Sequence, residues 1–468
     1  MVNGNNNMNP QSSLSKFKSS LVVSLTDSAS AAAGGGNKDD KEDGLGHHDY
    51  YPPTVVGGKA SSLAKLFATE GVSTHVPKSY ALTVAFFHYW IEELQHTTDY
   101  QLLVESVRSG SSGSGPTTTE DLCKKLQEKS WTLAPTNEQS EAIQMLVDAF
   151  TTTSIATAAT TATTATATDD AQHNPVQLAI RSSAPEEDGT GASFAGAFDT
   201  KLGIAVRYEA IVTAVHACFA SLWDYRVLDY KLKNTHPASA PERILDDMGF
   251  AVVVMEMIDS DIAGVAFTAN PLNSDRDECV IDSSWGLGES VVDGSVTADR
   301  YIVNKIDLSI RKEIVGIKGI EKRLDYNKEE ESGDGGRGGR RGGVIETILD
   351  ENDPKRTQSS LSHDQLKELT KLVCLVEKTY GMPMDVEWAV IYDQRDRDHD
   401  LAKTSTDSPN TTNWELKLLQ ARPITTLYTL DEFMMTEPGE KRKLYFDHNI
   451  LSAATTINPF TTLDLEFM

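Results

Sequence analysis

LAIRSSAPEEDGTGASFAGAFDT, Leu178 to Thr200, runs from a short apolar strand into an arginine, two serines, a cluster of acids, and then glycines and small residues around one phenylalanine. A strand that ends on Arg181 carries a guanidinium to the rim of a sheet, where its fork of donors can grip a phosphate bidentately. Gly189, Gly191 and Gly196 keep the following backbone slim enough to cover such a group, with Phe194 as the anchor of the loop tip. An edge-strand arginine followed by a flexible acidic loop is the plainer reading, and the rest of the chain has to decide.

Three other stretches bear on the choice. VGGKASSLAKL, Val56 to Leu66, sets two glycines and Lys59 before an amphipathic helix. Glycines allow close backbone approach, and a helix N-terminus favours an anion. It is not a Walker A loop, because the leading glycine is missing and Ala60 stands where Ser or Thr belongs. A helix start with a surface lysine is the alternative. In DVEWAVIYD, Asp385 to Asp393, strand alternation puts Glu387 on the face of Asp385 and Ala389, opposite Val386, Trp388 and Val390. In ELKLLQARPIT, Glu415 to Thr425, Gln420 and Arg422 share one face and Leu419 and Ala421 the other. An antiparallel pairing of the two would let Glu387, Gln420 and Arg422 converge as a cradle for Mg²⁺ on a polyphosphate, or leave a solvated polar face with one ion pair. SSWGLGESVVDGSVTADRY, Ser283 to Tyr301, is a glycine-punctuated turn after a buried strand, either a substrate loop or a tight connection.

Composition narrows the partners. The chain has 468 residues, room for two or three domains, and a formal charge of −26 from 43 Lys+Arg against 69 Asp+Glu. Such a body repels phosphate backbones and anionic lipid, so nucleic acid and membrane surfaces are not expected partners. An anionic ligand must then be held by a few focused cations. Four scattered cysteines without a CxxC suit reduced, buried thiols. No apolar run approaches the ~18 residues of a membrane span. The first fifty residues lack an h-region and contain no arginine, so a cytoplasmic location is expected and a weak organelle signal stays open. Gly333-Asp-Gly335-Gly-Arg-Gly338 fits G-x-G-x-x-G, but it follows an acidic run and opens no helix, so it carries no dinucleotide site and no RNA-binding role.

The patterned segments alternate helices and strands. A helix is expected over Arg207 to Lys231, and a second begins at the capping box Ser362-x-x-Gln365 and ends at Gly381. Strands are expected at Val252–Ile258, Gly264–Thr268, Val280–Asp282, Tyr301–Lys305, Ile310–Val315, Val386–Ile391 and Leu416–Ile424. The fold class is α+β, with two lobes meeting near Met257.

In this order, the motifs resemble the N-terminal ATP-binding domain of the phosphoenolpyruvate synthase and pyruvate phosphate dikinase family. They are GGKASSLAKL with VPKSYALT, AIRSSAPEEDGTGASFAGAFDT, CFASLWDYR, VVVMEMIDSDIAGVAFTANP, IDSSWGLGESVVDG, and YGMPMDVEWAV with LLQARPIT. The last motif is similar to the water-dikinase and rifampicin-phosphotransferase branch. The resemblance implies an ATP-grasp-like, two-lobed nucleotide-binding domain with low-complexity loop insertions. It implies ATP and Mg²⁺ as ligands, with Lys59, Arg181 and Arg422 on phosphates and as catalytic groups. Gly196, Thr200 and Lys201 would belong to the phosphate-covering loop, and Glu387 and Gln420 would meet the metal. Met255 stands where the family usually has a glutamine beside adenine.

Composition and the resemblance together divide the chain. Residues 1–50, low in complexity, are expected to form a disordered tail, and 51–256 the N-terminal lobe with inserts near 109–119 and 151–170 expected to be disordered. Residues 257–427 form the C-terminal lobe with inserts near 328–343 and 393–413, and 428–468 the start of a following, truncated domain. Family members pass phosphoryl from ATP to a histidine on a swivelling domain. The nearest approach here, Thr235-His236-Pro237, lacks the small-residue setting. The expectation is a dikinase-type phosphotransferase, incomplete as this single chain, whose acceptor histidine lies on a separate domain. The alternative is a non-catalytic nucleotide-binding regulatory module or truncated remnant.

Overall fold

Val252, Val253 and Val254 are all buried, and the strand they build is the centre of a five-stranded sheet. The computed structural model of the chain describes residues 20–26, 51–109, 118–162, 174–187, 198–234, 245, 248–326, 343–393 and 413–427. The first sheet contains β1 (Val22–Ser24), β2 (Ser79–Leu82), β3 (Gln177–Ser182), β4 (Thr200–Ala205) and β5 (Val252–Glu256). Its order is β1-β2-β5-β3-β4, every neighbouring pair antiparallel. Alternation divides its side chains between two cores. Leu82, Leu178, Ile180, Val252 and Val254 join Phe86, Phe87, Trp90, Phe219 and Phe250 under the helices Val84–Gln95 and Tyr208–Ser221. Ala81, Ala179, Val253 and Met255 point the other way, into a core shared with the second sheet.

That second sheet is built from β6 (Ile262–Phe267), β7 (Glu278–Trp285), β8 (Asp299–Asn304), β9 (Ile310–Ile314), β12 (Met384–Tyr392) and β13 (Trp414–Pro423). Its order is β13-β12-β6-β7-β8-β9, again antiparallel throughout. β10 (Ile320–Leu324) and β11 (Val344–Ile348) form a separate two-stranded ribbon. The helix His363–Tyr380 covers the second sheet with Leu366, Leu369, Val373 and Val376 against Ile281, Tyr301 and Trp388. Ser362 and Gln365 form its reciprocal capping box, and Gly381 ends it at φ 69°.

Four features differ from the sequence expectation, the first being β1, a strand paired with β2 inside the tail expected to be disordered. The helix over Arg207 to Lys231 is two helices, Tyr208–Ser221 and Tyr225–Asn234. The Asp224 carboxylate accepts from the Arg226 amide at 2.8 Å, a side-chain cap that starts a new helix without exposing Leu222 or Trp223. The insert expected near 151–170 is helical in its first part, because the helix Asn137–Ala162 continues through it. Thr151 and Thr152 return their hydroxyls to the carbonyls of Val147 and Asp148, and alanine favours the helical backbone beyond. Thr118, inside the insert near 109–119, caps the helix Thr119–Ser130. The tail 1–50, apart from the segment containing β1, and most of the inserts near 328–343 and 393–413 lie outside the described residues, as does 428–468.

Cys123, Cys218 and Cys279 are buried, and burial pushes the thiols of Cys123 and Cys218 up to about 12. Among the described residues no helix is long and apolar enough to cross a membrane.

Candidate functional site

The pairing of β12 with β13 sets the polar centre. Glu387 lies opposite Gln420, and Asp385 opposite Arg422. Paired residues share a face, so all four point away from the core that takes Val386, Trp388 and Ala421. The register shifts between Glu387 and Trp388, where Trp388 pairs with Leu418 and one residue of β13 is left over. This bulge lets Leu416 and Leu418 join the core on the same side as Ala421, which strict alternation forbids. It also corrects the expected grouping of Leu419 with Ala421: Leu419 lines the cavity, whereas Ala421 is in the core.

β3 approaches this centre from the first sheet. Arg181 Nη2 donates to Glu387 Oε2 at 3.0 Å and to Gln420 Oε1, while Nη1 donates to the Leu419 carbonyl at 3.4 Å. The Arg181 Nε–H is buried without an acceptor among the described residues. Arg422 does not join this group. Its Nε and Nη2 hold Asp385 Oδ2 at 2.9 and 2.8 Å, one ladder step away. Burial pushes the Asp385 carboxyl above the usual carboxylate range, against the pull of Arg422.

Lys59 sits where the helix Gly58–Ala68 meets the end of β3. A side chain at Gly57 would place its Cβ 1.8 Å from the Ser183 carbonyl oxygen, and one at Gly58 1.6 Å from that of Glu187. Both glycines are therefore required by close approach. The helix N-terminus is not the free anion site that the sequence suggests. The Gly58 amide donates to the Ala184 carbonyl at 2.9 Å and the Ala60 amide to Ser183 Oγ at 3.1 Å. What remains is Lys59 Nζ, 2.9 Å from Glu187 Oε1 and 3.5 Å from Ser182 Oγ. Glu187 is buried, and its second oxygen accepts from the Ala184 amide.

Between the two sheets lies a cavity of about 490 Å³. Arg181, Thr200, Lys201, Met255 and Glu387 are on its wall, and Thr200 lies opposite Arg181 in the β3–β4 ladder. Lys201 pairs with Asp199 at 2.9 Å. Lys59 and Arg422 do not line the cavity, and Gly196 lies outside the described residues. Most of the wall is apolar, with Leu202, Ile204, Met257, Ile258 and Val344 not singled out for the site by the sequence, and Leu287 from the Ser283–Tyr301 turn. The GLGES turn gave a signal for Leu287, whereas nothing marked Val344, which follows a low-complexity insert. Glu387 and Gln420 supply two oxygens, a fitting protein share for Mg²⁺, which keeps waters and takes phosphate oxygens. No cluster of three or more His, Cys, Asp or Glu that could hold a metal occurs among the described residues.

The arrangement is that of an α+β domain with a mostly apolar cleft, whose wall carries Arg181 and Lys201 beside the carboxylates of Glu289, Asp293 and Glu387. Residues 53–441 match the family model described as pyruvate phosphate dikinase, AMP/ATP-binding domain, and the chain belongs to this family. It is 29% identical to the phosphoenolpyruvate synthase of Pyrococcus furiosus, over 80% of this chain and 42% of that protein. It is 31% identical to the probable phosphoenolpyruvate synthase of Methanocaldococcus jannaschii, over 80% of this chain and 26% of the other. Similarity also extends to the uncharacterized phosphotransferase YvkC of Bacillus subtilis, 36% identical over 53% of this chain and 24% of YvkC. The chain thus spans less than half the length of each of these relatives.

Proposed function

We propose that this chain is the nucleotide-binding part of a dikinase-type phosphotransferase, taking Mg-ATP between two lobes in the manner of an ATP-grasp domain. The observation that carries the reading is the meeting of Arg181 from one sheet with Glu387 and Gln420 from the other, beside an apolar cavity of about 490 Å³. An apolar slot that ends in cations suits a purine with its phosphates. The base would pack against Met255, Met257 and Leu202, and the phosphates would run toward Arg181 and Thr200. Lys59 and Arg422 lie just beyond, each held by a carboxylate that it can exchange for a phosphate oxygen. Gly196 and Lys201 would serve the loop that covers the phosphates.

Phosphoryl transfer needs positioning and charge neutralisation more than covalent help from the protein. Mg²⁺ held by Glu387 and Gln420 would neutralise charge on the phosphate chain. Arg181 and Lys59 orient the group that leaves, and Arg422 opposes the charge left on the nucleotide. The acceptor in this reading is an imidazole nitrogen of a histidine on another domain, because its phosphoramidate forms and breaks without a strong base. The bond between the α-phosphorus and the bridging oxygen to the β-phosphate stays with AMP, and the β-phosphorus–oxygen bond breaks as the nitrogen–phosphorus bond forms. The β- and γ-phosphates pass together to the histidine as a pyrophosphoryl group, whose γ-phosphate is then released as orthophosphate to water or passed to a second acceptor.

The test is to incubate the chain with radiolabelled ATP and Mg²⁺, with and without a histidine domain taken from a relative. AMP and labelled histidine domain are expected only when both proteins are present, and not with Lys59→Ala. Equal AMP formation with and without the histidine domain contradicts the reading.

A further inference from the structure

We propose that Arg181 is the resident counter-cation of the Glu387 and Gln420 oxygens, so that a divalent metal gains them only when a nucleotide draws the guanidinium away. The inference rests on the nucleotide-site reading above and adds a coupling that the reading does not contain. One nitrogen, Arg181 Nη2, lies on both Glu387 Oε2 and Gln420 Oε1. The β12–β13 register pairs Glu387 with Gln420, which puts both side chains on one face of the sheet. A metal using the same lone pairs cannot share them with a guanidinium, since two cations would then stand within a few ångströms in a partly dry site. The Arg181 and Glu387 side chains are only 14% and 26% exposed, so water screens the contact weakly.

Expelling the guanidinium requires another acceptor. Arg181 lines the cavity, and its buried Nε–H has no partner among the described residues. That Nε–H shares its side of the guanidinium with Nη2, so a phosphate oxygen takes the pair bidentately only as the group swings into the cavity and Nη2 leaves Glu387 and Gln420. A triphosphate therefore releases two ligand oxygens as it binds, and the metal follows or accompanies it. Metal alone must compete with an ion pair built into the protein.

This gives Arg181 effects of opposite sign. An arginine that served only the phosphates would, when removed, weaken nucleotide binding and leave metal binding without nucleotide unchanged. Here Arg181→Met weakens the nucleotide and strengthens the bare metal. The probe is Mn²⁺ titrated into the nucleotide-free full chain and followed by the electron paramagnetic resonance of the free ion. Wild type is expected to bind Mn²⁺ tightly only after addition of a non-hydrolysable ATP analogue. Arg181→Met is expected to bind Mn²⁺ without nucleotide about tenfold tighter than wild type, the size of one charge-assisted contact. Adding Glu387→Gln to Arg181→Met should remove that gain, which locates it.

Wild type that binds Mn²⁺ equally well with and without the analogue overturns the proposal. So does a folded Arg181→Met with no gain. Should Arg181→Met not fold, Arg181→Lys replaces it and must show a smaller gain of the same sign, while the wild-type comparison needs no variant. Calorimetry showing no analogue binding to wild type would count against the nucleotide reading, and a gain in Arg181→Met would still establish the competition.

Discussion

Asp385, Glu187 and Glu387 each hold one cation of the site, and each is held differently. Glu187 is buried with both oxygens bonded, so Lys59 is fixed at a definite point. Asp385 gives Arg422 a single oxygen, and its other oxygen is buried without a partner among the described residues. A buried carboxylate with an unmet oxygen stores free energy that a better arrangement can release. Glu256, at the end of β5 between the cavity-lining Met255 and Met257, shows the same physics. Burial pushes its carboxyl up, and Lys417 and Lys78 only partly oppose this. An acid with a raised folded-state pKa stabilises the fold below its unfolded pKa and loses that contribution as pH rises through the folded value. Glu256→Gln should therefore match wild type in acid and melt higher than wild type at neutral pH. Thermal melts at pH 4 and pH 7 check this, and an equal difference at both pH values would contradict it. The face shared by Glu387 and Gln420 was legible from period-two patterns. The pairs Lys59–Glu187 and Arg422–Asp385 were not, since side-chain partners depend on registers and rotamers that one strand does not encode.

The elements that carry these residues depend on two local irregularities. One is the glycine pair at the start of the Gly58–Ala68 helix. Gly57 has φ +80° and would meet the Ser183 carbonyl through any side chain. Gly57→Ala should destabilise the fold by about 1–3 kcal/mol through overpacking and backbone strain, read as a lower urea midpoint. It should also weaken nucleotide binding, because Lys59 is the second residue of that helix. An unchanged midpoint would mean that the helix and β3 do not meet this closely. The other irregularity is the bulge in β13. LKLLQAR alternates plainly enough to be read as a strand, yet Leu418 and Ala421 share the core while Gln420 faces the cavity side. The extra residue was not legible, because no glycine or proline marks it. Similarly, the break at Asp224 hides inside an apolar helical pattern that runs through Leu222 and Trp223.

At the scale of the whole molecule, two antiparallel sheets share an aliphatic core that also takes in Tyr301 and Trp388, and the cavity opens between them. All strands of the first sheet precede Met257 and all strands of the second follow it, a division legible from the apolar run Val252–Val254 and the strands after it. β11 was not legible, because its side chains are largely exposed and no alternation between water and core is imposed on them. On the proposed function, a chain of net charge −26 would bind a polyanion only where cations are concentrated, so the loss of one such cation, or of an oxygen proposed for the metal, would not be replaced by its surroundings. The most direct measurement is calorimetric titration of the Mg²⁺ complex of a non-hydrolysable ATP analogue into wild type, Glu387→Ala and Arg422→Ala. Wild type should bind one equivalent, and each variant should bind about ten- to a hundredfold more weakly, the loss of one charge-assisted contact of roughly 1.5–3 kcal/mol. Failure of wild type to bind, or unchanged affinity in both folded variants, would contradict the account.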